Sequence, residues 1–192
     1  MICLNLASAR ECTEAEGPGK RFALWCQGCS RKCKGCCNPH MQPFVERHIV
    51  DTADVKEAIR KSKEQNGIEG VSFIGGEPML QAEGLADVAR WCHENSLSVL
   101  VFTGFLHQEL IDFHNPFVDE LLANADVLVD GPFMENLLDH DRDWVGSTNQ
   151  RVVFLTDRYS PEIEKQRGKR RVECFVTDES IRINGWPVGL CD

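Results

Sequence analysis

The sequence predicts the α/β class, built as a partial, open parallel β/α barrel. Three observations predict it. Short apolar runs near residues 71, 97 and 126 alternate with stretches of helical periodicity. That βαβ rhythm implies parallel strands joined by right-handed crossovers. Each run leads into an unusual motif, as ligand sites do at the C-terminal ends of parallel strands. The chain has 192 residues, too few for an eight-unit barrel, which needs about 200 at the least and typically about 250.

Taken in order, residues 1–20 read as a short strand and a Gly/Pro turn, and Arg21 to Cys26 as a strand. Residues 38–50 are mixed and read as irregular. Asp51-Thr52 can cap a helix over 53–65, with Val55, Ala58 and Ile59 at helical spacing and Asn66-Gly67 ending it. Val71 to Ile74 is a short buried strand, Met79 to Asn95 a helix, and Leu97 to Phe102 a strand. Gln108 to Ala123 reads as one helix despite Pro116. Asp126 to Asp130 and Arg151 to Thr156 are strands, 158–171 is a charged linker or weak helix, and 172–176 with 181–183 suggests a terminal hairpin. The chain shows no internal repeat and no domain boundary. A single domain over 1–192 is expected, with the motifs in about 15–156 and an extension over 157–192.

Composition narrows the function. Apolar residues make up 42% and charged residues 27%, an ordinary globular balance. The net charge of −9 argues against nonspecific nucleic-acid binding, whose affinity comes from neutralised phosphates. The start, Met1-Ile2-Cys3-Leu4-Asn5, lacks the features of a signal peptide, and no apolar run is long enough to cross a bilayer. Ten cysteines without export signals point to metal binding or catalysis in a cytoplasmic protein rather than to disulfides.

The cysteines that matter form one run, Cys29-Ser30-Arg31-Lys32-Cys33-Lys34-Gly35-Cys36, a C-x3-C-x2-C spacing. Three thiolates on a tight loop can reach three corners of a cubic iron–sulfur cluster and leave the fourth iron open. Cys26, Cys29, Cys33 and Cys36 also form two C-x2-C pairs, which could hold zinc. Structural zinc pairs are usually separated by roughly a dozen residues or more, and only three intervene here. The C-x2-C-x2-C-x3-C-P run of a ferredoxin is absent. The six histidines show no ligand spacing and read as surface residues.

With Trp25-Cys26-Gln27-Gly28-Cys29, Cys36-Cys37-Asn38-Pro39 and Gly75-Gly76-Glu77-Pro78, the run resembles the radical S-adenosylmethionine superfamily. Within it the chain is similar to the activators of glycyl-radical enzymes, above all that of the anaerobic ribonucleotide reductase. The resemblance implies a [4Fe-4S] cluster on Cys29, Cys33 and Cys36, with S-adenosyl-L-methionine on the open iron. It implies cofactor contacts from Gly35, Cys36, Cys37 and the segment Gly75, Gly76, Glu77, Pro78. Phe102-Thr103-Gly104 resembles an aromatic-Thr-Gly segment, which brings in Thr103. Ser147-Thr148-Asn149-Gln150-Arg151 resembles the activators' Gly-Ser-x-Asn-Gln-Arg, which brings in Asn149 and Arg151. Asp130, after the apolar Val127-Leu128-Val129, is expected at the rim, because a carboxylate there must be paired or near water.

The function implied is reductive cleavage of the cofactor to a 5′-deoxyadenosyl radical, which installs a glycyl radical on a partner enzyme. The implied partners are a glycyl-radical enzyme and a flavodoxin- or ferredoxin-type electron donor, with no nucleic acid and no membrane. Direct action on a small molecule, nucleotide or peptide is an alternative, as is a non-catalytic iron–sulfur or zinc module. The sequence departs from the activators at His40-Met41, where they carry Thr-Trp, and in its tail beyond Arg151.

Overall fold

The computed structural model describes residues 1–165, 172–176 and 181–185. Its strands are β1 (Cys3–Thr13), β2 (Arg21–Cys26), β3 (His48–Asp51), β4 (Gly70–Gly75), β5 (Ser98–Phe102), β6 (Val127–Asp130), β7 (Arg151–Phe154), β8 (Val172–Val176) and β9 (Ile181–Gly185). Its helices are α1 (Thr52–Asn66), α2 (Ala82–Glu94), α3 (His107–Asp112) and α4 (Pro116–Ala123). A seven-stranded sheet runs β3-β1-β2-β4-β5-β6-β7. The four central strands β2, β4, β5 and β6 are parallel, as the βαβ rhythm requires. The flanks depart from a purely parallel sheet: β1 pairs antiparallel with β2 and β3, and β7 antiparallel with β6. No pairing joins the outer strands β3 and β7 among the described residues, so the expected open, partial barrel is borne out.

Local chemistry explains the elements. The Asp51 carboxylate accepts from Ala53 N at the start of α1, and Gly67 ends the helix in the left-handed region at φ 64°. The single helix expected over 108–123 is two. Asn115 accepts from Phe117 N and Pro116 occupies the first turn of α4, so the chain breaks at 113–115. The helix expected from Met79 begins instead as a 3-10 turn, Pro78–Gln81, before α2. Two strands exceed expectation: β1 is eleven residues long, and β3 lies in a stretch read as irregular. The exposed pattern of β3 hid it from an apolar reading. The terminal hairpin forms as β8 and β9. Of the tail read as linker or weak helix, residues 161–165 form a 3-10 turn and 166–171 lie outside the described residues.

The sheet has two unlike faces. The helices cover one, burying Leu4, Leu24, Phe73, Leu85, Val101 and Leu128 in the main core. The concave face carries Ala23, Trp25 and Ile74 on one side and Leu100, Phe102, Trp144 and Val152 on the other. A fully buried guanidinium plugs this face at the end where the parallel strands start. Arg21 donates to Ser72 Oγ (2.7 Å), Ser98 Oγ (2.9 Å) and Pro18 O (3.2 Å), which compensates its desolvation. Arg21 thus fills this face where the parallel strands start, and the face is open where they finish.

Candidate functional site

At that open end lies a cavity of about 1200 Å³. Cys29, Cys33, Cys36 and Cys37 line one side, and Gly75, Gly76, Glu77, Thr103 and Gly104 form its rim. Segments that follow β2, β4 and β5 thus meet at one place.

Main-chain bonds hold the cysteine loop. Gly76 N donates to Cys26 O (2.8 Å) and Glu77 N to Gly28 O (2.9 Å), continuing the β2–β4 pairing past the strand ends. On the other side Gly28 N donates to Met41 O (2.8 Å) and Cys29 N to Gln42 O (3.0 Å). The glycines follow from this closeness. A Cβ on Gly76 would lie 2.3 Å from Gly28 O, and Gly75 adopts φ 103°. The pair is thus explained by backbone meeting backbone. The loop also needs a left-handed residue at Gly35, φ 72°, beside Glu135.

Sulfur environments differ. Cys29 is buried, which raises its thiol pKa despite the Arg31 and Lys32 amides that bond to it. The Cys36 thiol is lowered to about 6, first by the hydrogen bond from Cys37 and then by Asn38 N. Such a thiol is ready to bind soft metal. Cys37 acts as the donor to Cys36, and its own pKa is raised. Among the described residues no three His, Cys, Asp or Glu side chains converge at metal-binding distance. The three thiols share one cavity wall, and their soft donor chemistry fits an iron–sulfur cluster.

Glu77 is a strut. Its carboxylate is 1% exposed and accepts from Thr103 Oγ1 (2.7 Å), Gly104 N (2.8 Å) and Met79 N (3.1 Å). Burial pushes the carboxyl pKa up, against the pull of these donors and of Arg31. Thr103 spends its hydroxyl proton on Glu77 and accepts from Phe105 N (3.1 Å). Pro78 is buried in the first turn that follows.

Asp130, Asn149 and Arg151 sit together behind this rim and do not line the cavity. Asp130 is fully buried and is forked by Arg151, whose Nε donates at 2.9 Å and whose Nη2 makes the second bond. It also accepts from His107 N (2.7 Å) at the start of α3. Asn149 Nδ2 donates to Pro132 O (2.8 Å), while its Oδ1 is buried without a hydrogen-bond partner. The neighbouring Gln150 Oε1 accepts from Gly146 N (3.0 Å) and Ser147 N (3.1 Å).

Three contributors escaped the sequence reading. Arg31 stacks 4.7 Å over the Phe105 ring and pairs with Glu109 (3.7 Å), tying the cysteine loop to the segment after β5. Trp144, at φ 61°, lines the cavity opposite. Glu16 and the hairpin residues Ile183, Asn184 and Gly185 supply another wall. The basic run 31–34 hinted at the first; no local pattern signalled the others.

A family described as a 4Fe-4S single cluster domain matches residues 15–153. The chain belongs to that family. Its relatives include the "Anaerobic ribonucleoside-triphosphate reductase-activating protein" of Enterobacteria phage T4. That protein is 27% identical, over 80% of this chain and 96% of its own length. The protein of the same description from Vibrio cholerae is 32% identical, over 73% of this chain and 91% of its own. The "Pyruvate formate-lyase 1-activating enzyme" of Escherichia coli K12 is 31% identical, over 95% of this chain and 69% of its own. The resemblance to activating enzymes is borne out, as is the expectation of a four-iron cluster over zinc. Among the described residues no helix is long and apolar enough to cross a membrane.

Proposed function

We propose that this chain is an activating enzyme: it cleaves S-adenosylmethionine reductively to a 5′-deoxyadenosyl radical and installs a glycyl radical on a partner enzyme. The observation that carries the proposal is convergence. The C-x3-C-x2-C loop, the Gly75–Glu77 segment and Thr103-Gly104 all face one cavity at the C-terminal ends of parallel strands. The activating-enzyme relatives support the same reading. Cys29, Cys33 and Cys36 would hold the cluster, which when bound supplies one electron to the sulfonium of the cofactor.

The chain's own residues position and enclose. Gly75 and Gly76 offer main-chain carbonyls to the cofactor ammonium. Glu77 fixes those carbonyls by tying the β4 end to the β5 end. Asn149 Oδ1 is a buried acceptor without a partner, outside the cavity lining but next to Gln150, which does line it. Arg151, its fork spent on Asp130, braces the β6 end against the β7 end behind the cavity. Trp25, Phe102 and Trp144 make the cavity wall apolar and exclude water from a reactive radical. Lys32 and Lys34 stand exposed on the cysteine loop, where they suit the acidic surface of a flavodoxin- or ferredoxin-type donor.

The test is anaerobic. The protein is reconstituted with iron and sulfide, reduced with dithionite and given S-adenosylmethionine, and 5′-deoxyadenosine is measured. The Cys29/Cys33/Cys36 triple Ala variant is the control. Product from the native chain alone is expected; a full cluster with no product, even with a candidate glycyl-radical enzyme present, would refute the proposal.

A further inference from the structure

The hairpin β8–β9 lies beyond the residues that match the family, yet it is clasped to the start of the chain. The Glu173 carboxylate accepts from Thr13 Oγ1 (2.7 Å), Glu14 N (2.9 Å) and Asn184 Nδ2 (3.2 Å). Asn184 Nδ2 also donates to Thr13 Oγ1 (2.8 Å), and Gly185 N donates to Glu16 Oε1 (3.2 Å). Thr13 and Asn184 are buried in this clasp. The clasp sets Ile183, Asn184 and Gly185 into the wall of the cavity that holds the cysteines. Ile183 is half exposed there, an apolar side chain at the mouth.

The cavity lies above the roughly 300–1,000 Å³ of ordinary ligand pockets, and on the proposed activating function the partner's reacting segment must enter it to reach the cofactor. β1 offers that reactant a floor of small side chains, Ala7, Ser8 and Ala9. Among the described residues β8 and β9 pair only with each other, so the hairpin presents a strand edge of the kind to which extended chains add.

We propose that the β8–β9 hairpin is the specificity-determining wall of the site: it admits an extended polypeptide segment of the partner with glycine at its reacting position and excludes bulkier residues. This rests on the proposed activating function. The hairpin's strand edge and Ile183 select backbone shape, while Glu173 holds the hairpin in place from outside the reacting region.

The probe is a capped pentapeptide, Ser-Val-Gly-Ala-Val, with deuterium on the glycine α-carbon, and an analogue with alanine at the centre. In the reduced, reconstituted enzyme a C–D bond of the peptide breaks. The deuterium atom goes to the 5′ carbon, giving labelled 5′-deoxyadenosine and leaving the unpaired electron on the peptide. The native chain is expected to label from the glycine peptide and not from the alanine peptide. Glu173→Ala should retain iron content but bind the glycine peptide about tenfold more weakly, as loss of one anchoring contact does, and should begin to accept the alanine peptide. Ile183→Trp should block labelling, and peptide binding should slow amide exchange in 172–176 and 181–185 of the native chain. Cofactor cleavage without label from either peptide, or both variants matching the native chain in peptide affinity and selectivity, would overturn the proposal. No 5′-deoxyadenosine from the native chain would instead refute the activating function itself.

Discussion

Replacing Glu77 tests whether the rim is held from within. The carboxylate receives one hydroxyl and two backbone N–H donors from segments that follow different strands. Glu77→Ala leaves all three without their acceptor at a buried position on the cavity rim. An unsatisfied buried donor costs about 1–3 kcal/mol, and three would cost about 3–9 kcal/mol. Part of this returns, because a buried carboxylate that is itself costly is also removed. Thr103 can turn its hydroxyl elsewhere, which returns more. A net loss of about 3 kcal/mol follows, and for a chain of this size that is roughly 6–12 °C in Tm. Glu77→Gln keeps an accepting oxygen but turns an amide NH2 toward one of the N–H donors, so it should fall between the two. The assay is thermal unfolding of the apo chain, followed by calorimetric titration of the reconstituted chain with S-adenosylmethionine. Affinity should fall in both variants while iron content stays at the native level. An Ala variant that melted within about 2 °C of the native chain and bound the cofactor as tightly would refute the strut.

The cysteines come next: Ala at Cys29, Cys33 or Cys36 should abolish the competent four-iron cluster, measured by iron and sulfide content and EPR, while Cys37→Ala should retain it. A variant lacking Cys33 that still cleaved the cofactor would sink that ligand assignment. Gly76→Ala places a Cβ against Gly28 O and Met41 O, both backbone atoms that cannot rotate away, and should cost about 1–3 kcal/mol of stability together with part of the iron content. Glu16 gives a pH signature. Burial pushes its carboxyl up to about 7, against the bond from Gly185 N. The folded state therefore keeps a proton that the unfolded state has lost between about pH 4.5 and 7. The stability from this group is present below pH 4.5 and lost as pH rises through 7, about 3 kcal/mol in all. Urea unfolding at pH 5 and pH 8 should show that slope in the native chain and its reduction in Glu16→Gln; equal slopes would remove Glu16 from the account.

What the sequence disclosed followed from short-range rules. The cap at Asp51 and the stop at Gly67 mark α1, and the apolar run before Gly75 marks β4. The rule that ligands gather at strand ends was enough to predict that the cysteines and the Gly75–Glu77 segment would meet. Long-range pairing was not readable. Asp130 and Arg151 find each other only because β6 and β7 pair in register. Thr13 and Glu173 lie at opposite ends of the chain. Glu77 was expected to face the cofactor; of the three donors it satisfies, Met79 N is a local cap, while Thr103 and Gly104 lie after β5, an approach that no local pattern encodes. Asn115 caps α4 just ahead of Pro116, and this local cap outcompetes continuation of one helix through 113–115.

The base of the cysteine loop is gripped through peptide groups, by residues 76 and 77 on one side and 41 and 42 on the other, while the Arg31 side chain ties its middle to Phe105 and Glu109. None of the bonds at the base involves a side chain of residues 30–35. Arg31 and the left-handed Lys32 and Gly35 apart, the positions between the sulfurs are therefore decoupled from the task of holding them. Mutational drift there can retune the charge shown to an electron donor, or the fit to a protein docking above, without loosening the frame. A library randomised at Ser30 and Lys34 would thus alter recognition while sparing assembly, which makes this loop a natural handle for re-targeting the enzyme.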